Sequence, residues 1–154
     1  MSPLAEVLSR ETDLVSRFIL LLKNEQNALK LAQAAALSEI NRDKQALIEQ
    51  LNAVGTERSR LTDLNTATAN LGDMSTWLTQ HPDEKQSAAL WVVLIDLAKE
   101  AKTLHELNGT LINLHLKQTA DAIAVLTRQH QEHSLYGSNG QAAAASGSRI
   151  VDSA

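Results

Sequence analysis

LWVVLIDLAKEAKTLHELNGTLINLHLKQTADAIAV, residues 90–125, is the stretch that decides the fold. Steps of four and three link Leu90, Leu94, Leu97, Ala101, Leu104, Asn108, Leu111, His115, Gln118, Ala122 and Val125, which is the spacing of a coiled-coil seam. Leu107, Leu114 and Ile123 flank the seam and widen it, as expected of a helix with more than one neighbour. The pattern predicts one helix from Asp83 to about Gln131, roughly 70 Å long at 1.5 Å per residue.

Upstream, Ser2 is placed to cap a helix that has Pro3 in its first turn. Leu4, Val7, Leu8, Leu14, Val15, Phe18, Leu21, Leu22, Ala28 and Leu29 then mark one face of a first helix ending near Leu31. A second seam, Leu37, Ile40, Leu47, Leu51, Val54 and Leu61, is displaced by one position from the heptad continuation of the first. Either a turn lies between Lys30 and Ala36 or a long helix shifts register there, and the turn is the preferred reading. The second helix is expected over 34–70, with Gly55 costing it up to about 1 kcal/mol relative to Ala. A short helical turn near 74–80 follows Gly72, and His81-Pro82-Asp83-Glu84 restarts the chain into the third long helix. These elements define an all-α fold, an antiparallel bundle of three long helices with coiled-coil-like packing. The bundle domain is expected over 1–133. Residues 134–154, rich in turn formers and small side chains, are expected to form a flexible tail.

Composition agrees. Of 154 residues, 25 are Leu and 22 Ala, while Phe18, Trp77, Trp91 and Tyr136 are the four aromatics, a mixture that favours helix over strand. The aromatics read as junction and tail residues rather than as one core. The absence of cysteine excludes disulfide scaffolds, thiolate metal sites and thiol nucleophiles. The first residues lack a basic stretch followed by an apolar one, so no secretory signal is read. The longest apolar run, Ala88 to Ile95, is far short of the roughly 20 residues that span a bilayer, so no membrane insertion is expected. A net charge of −4, with both signs interspersed, argues against nucleic-acid binding.

Chemistry is sparse. His130 and His133 invite a metal reading, but no histidine has a Glu three residues before it, as the carboxylate–histidine motif of di-iron bundles requires. A solvated helix end is the simpler reading, and His105 and His115 read as polar helix positions. Glu11 and Glu25 interrupt the first stripe without a histidine, serine or lysine constellation, so they read as snorkelling edge residues. Asn108-Gly109-Thr110 matches a glycosylation acceptor but falls within a helix. Asn108 is better read as setting helix register, with an open partner surface as the alternative. No phosphate loop, nucleophile elbow or paired-carboxylate motif is present, which disfavours an enzyme, and no cofactor is expected. What remains is a long helical surface suited to binding another helix.

The chain resembles the FlgN family of flagellar export chaperones. The resemblance is carried by Leu21-Leu22 and Glu25, Ala36-Leu37, Lys44-Gln45-Ala46-Leu47-Ile48 and Glu106-Leu107-Asn108-Gly109-Thr110-Leu111-Ile112. Its most specific part is the ending, Leu135-Tyr136-Gly137-Ser138-Asn139-Gly140-Gln141 followed by Arg149-Ile150-Val151-Asp152-Ser153-Ala154. The resemblance implies a cytoplasmic chaperone that holds hook-associated junction proteins soluble and delivers them to the flagellar export gate, with the export ATPase complex as a further partner. It implies client contact through the later part of the third long helix and the tail: Asn108, Leu111, His115, Gln118, Ala122, Val125, Leu135, Tyr136 and Gly137. It also links an aromatic in the tail to the export gate, and Tyr136 is the only tyrosine. Two other readings remain: a coiled-coil scaffold that self-associates, and a metal-dependent bundle enzyme.

Overall fold

The computed structural model describes residues 1–64 and 71–135, and these form four helices: α1 Pro3–Lys30, α2 Ala34–Thr62, α3 Leu71–Gln80 and α4 Lys85–Leu135. Among the described residues there is no strand. The expected all-α architecture is present, with three long helices and a short one between the second and third.

Ser2 caps α1 as its sequence position predicts: its Oγ accepts a hydrogen bond from the Ala5 amide at 3.1 Å. The same hydroxyl donates to Glu84 Oε2 at 2.7 Å, and the Ser87 hydroxyl donates to that carboxylate as well. One carboxylate therefore ties the beginning of α1 to the beginning of α4.

The break between α1 and α2 is a turn rather than a register shift. The Gln33 amide donates to the Ala28 carbonyl and the Ala32 amide to the Leu29 carbonyl, the two bonds of a Schellman cap. Ala32 takes the left-handed conformation, φ 52°, where glycine is the usual occupant. That substitution is why the sequence shows no breaker at this point.

α2 is shorter than its stripe suggests. It ends at Thr62, not near residue 70, because Asp63 turns left-handed at φ 54°, a conformation that the short Asx side chain tolerates. α3 begins at Leu71, slightly ahead of the expected turn, and α4 runs to Leu135, slightly past its expected end.

Residues Met1–Leu111 form one compact unit, and Ile112–Ala154 are assigned to a second. Within the first, α1 is buried on two faces. Leu4, Leu8, Val15 and Ile19 pack with Met74 and Leu78 of α3 and with Trp91 and Leu94 of α4. Val7 and Leu14 pack with Leu47 and Val54 of α2. Ion pairs set the directions: Arg10 with Glu57, Glu11 with Arg58 and Glu25 with Lys44 run α2 antiparallel to α1. Ser2 with Glu84, Lys23 with Glu100 and Glu25 with Asn108 run α4 parallel to α1. Trp91 is a core residue, with Trp77 packed against the same cluster, which corrects the reading of the aromatics as junction residues.

Candidate partner-binding surface

Two buried polar clusters hold the seam of α4 against α1 and α2. In the first, Asn108 is fully buried, and its amide nitrogen donates to the Leu22 carbonyl at 2.9 Å and to Glu25 Oε1 at 2.8 Å. The other oxygen of Glu25 accepts from Lys44 Nζ at 3.0 Å, so one residue from each of three helices meets at this point. Among the described residues, Asn108 Oδ1 has no hydrogen-bond partner. This is the geometry of a register-setting asparagine.

In the second cluster, Arg58 Nη1 donates to both oxygens of Glu11 at 2.8 and 3.0 Å, and its guanidinium lies 5.3 Å from the centre of the Trp91 ring. Burial pushes the Glu11 carboxyl above the usual glutamate range, while the charge and hydrogen bonds of Arg58 pull the other way. Glu11 and Glu25 are thus buried and paired, not snorkelling at an edge. Their partners are more than fifteen positions away in the chain, on another helix, where one-helix periodicity has no view.

Beyond the bundle core the seam changes character. Leu90, Leu97, Ala101 and Leu104 pack against the core, Leu94 is buried within it, and Leu111 is half-buried. His115 is half-buried, whereas Gln118, Ala122 and Val125 are exposed. Leu135 ends α4, and Tyr136 and Gly137 lie outside the described residues.

Four large apolar side chains of this part of α4 lie one position on from the seam, Ile112 at 41% exposure, Leu116 at 63%, Ile123 at 58% and Leu126 at 64%, while Leu114 and the seam's own Val125 are exposed elsewhere on the helix. With Thr119 they repeat the four-three spacing on one side of the helix. Three successive steps of four, Leu104 to Asn108 to Ile112 to Leu116, form a stutter that moves the stripe off a strict heptad. Extending the heptad without that stutter misses Ile112, Leu116 and Leu126; the signal was the same spacing, begun one residue later.

Other candidate features are plain. A groove of about 290 Å³ between α1 and α2 is lined by Arg10, Asp13, Leu14, Gln50, Ala53 and Val54. Among the described residues there is no group of three or more histidines, cysteines or carboxylates able to hold a metal, and no helix long and apolar enough to cross a membrane.

An all-α bundle whose longest helix carries an uncovered aliphatic stripe is the class that this geometry defines. Residues 1–144 match the family model described as FlgN protein, and the chain belongs to that family. It is similar to the Flagella synthesis protein FlgN of Proteus mirabilis, 38% identical over 55 residues that make up 36% of this chain and 37% of that protein. Similarity to the Flagella synthesis protein FlgN of Salmonella typhimurium is 24% identity over 143 residues, 92% of this chain and 91% of that protein. No solved structure matches it.

Proposed function

We propose that this chain is a cytoplasmic export chaperone without enzymatic activity, which binds hook-associated junction proteins, keeps them soluble and passes them to the flagellar export gate, with the export ATPase complex as a further contact. The observation that carries the reading is the stripe of Ile112, Leu116, Ile123 and Leu126 in a member of a family whose relatives are named for flagella synthesis. A run of large aliphatic side chains left in water marks a surface used for association. A helix stripe pairs naturally with the apolar face of another amphipathic helix, each burying what the other would expose. A client whose terminal segments form helices only after assembly needs such a cover beforehand. In this reading α1, α2 and the first half of α4 are the handle, α4 from Ile112 onward is the binding face, and Tyr136 in the tail serves delivery.

The test is co-expression of the chain with the hook-associated proteins of its own organism, followed by co-purification. A stable complex that is lost when the stripe is made polar supports the reading. Absence of any complex overturns it. A chain that instead forms a concentration-dependent dimer through the same stripe would be the self-associating scaffold. Removal of residues 136–154 separates holding from delivery: binding persists and secretion of the client falls.

A further inference from the structure

The binding face of α4 carries its own titratable groups. At 3.6 residues per turn, His115 and His130 fall within roughly a 100° arc of the helix that also holds Ile112, Leu116, Ile123 and Leu126. Lys117, Asp121 and Arg128 fall together on the opposite side. Apart from the histidines, the face between residues 112 and 130 therefore holds no ionisable side chain. Neither imidazole has a hydrogen-bond or ion-pair partner among the described residues. His105 shares this side of α4 within the bundle unit and is exposed.

We infer that client binding on this face is acid-sensitive, with His115 and His130 as the groups that release the client when they take up protons. The inference rests on the proposed function of the stripe and adds its regulation. Neutral imidazole is compatible with an apolar interface, whereas an imidazolium buried against aliphatic side chains and without a counter-charge is costly. A client that covers the face binds the neutral form better, so by linkage protonation must weaken the client in equal measure. Lys117, Asp121 and Arg128, facing away, stay in water whether or not a client is docked and contribute no such dependence.

The test measures the affinity of the full chain for a purified hook-associated protein of its own organism at about pH 7.5 and about pH 5.5, the range over which histidine changes charge. Circular dichroism confirms that the helices persist at both. The expected result is a dissociation constant at least about tenfold higher at the acid end, and a His115→Gln, His130→Gln double variant that binds with nearly the same affinity at both. Equal affinity of the wild type at the two pH values overturns the inference and leaves the proposed function standing. Tighter binding in acid also overturns it, because the imidazolium ions would then be meeting carboxylates of the client. A double variant that keeps the full dependence overturns it by placing the titrating group elsewhere, at His105 or at His133, which shares the helical position of His115, at Glu11 or in the client. No binding at either pH overturns the proposed function and this inference together.

Discussion

Asn108 of α4 donates a hydrogen bond of 2.8 Å to Glu25 of α1, 83 positions earlier in the chain, and both side chains are buried. The bond fixes how far α4 is advanced along α1, because a slip of one residue would bury the Asn108 amide without an acceptor. Asn108→Ala removes two hydrogen bonds and leaves a small cavity, an expected cost of about 2 to 3 kcal/mol in chemical denaturation. Asn108→Asp is expected to be worse at neutral pH, since it sets a second carboxylate against Glu25 with Lys44 as the shared cation.

The pair of Glu11 and Arg58 makes a prediction about pH. The folded Glu11 carboxyl sits above its ordinary value because of burial, so the folded state holds that proton to higher pH than the unfolded chain. The contribution of this group to stability is therefore fully present below its ordinary value and is lost as pH rises through the window up to the raised one. The difference in unfolding free energy between wild type and Glu11→Gln should follow that course in denaturation measured across the acid range. Arg58→Ala should cost about 3 kcal/mol at neutral pH, more than Glu11→Gln, because it strands a buried carboxylate.

Two substitutions of opposite kind should both stabilise. Ala32→Gly relieves a left-handed alanine in the cap of α1, worth about 1 kcal/mol. Gly55→Ala adds a methyl group in the interior of α2, where an added Cβ meets nothing within 4 Å, worth up to about 1 kcal/mol. Thermal melting of the single and double variants checks both, and their distance apart predicts additive gains.

Replacing Ile112, Leu116, Ile123 and Leu126 by Gln is expected to leave the melting temperature of the bundle nearly unchanged, since none is a core residue. Affinity for a hook-associated protein should drop by about two orders of magnitude in a titration, in line with the loss of several apolar anchors. Because the stripe carries no fixed charge, raising the salt concentration should scarcely alter binding by the wild type.

Much of this architecture is legible in the sequence, and the part that is not has identifiable causes. Leucine spacing alone locates α1 and α4 closely, because apolar periodicity is a property of one helix. The ends of α1 and α2 escape it, since Ala32 and Asp63 adopt left-handed backbone that their identities do not announce. Glu11 and Glu25 look like interruptions until Arg58 and Lys44 are brought to them by the fold. Asn108 was readable as a register residue from its seam position. The bare stripe was visible only in part, through Ile123, because a strict heptad drifts off the face that a stutter restores.

Parallel alignment of α1 with α4 has a consequence for synthesis. The α1–α2 hairpin joins segments at most a few dozen residues apart and can pair as soon as α2 is made. The other apolar face of α1, with Leu4, Leu8, Val15 and Ile19, stays open until α3 and α4 arrive, and its final bond awaits Asn108. While the stretch between the end of α2 and Asn108 is being made, the nascent chain is thus itself a hairpin with an uncovered apolar side, closed late by its own long helix.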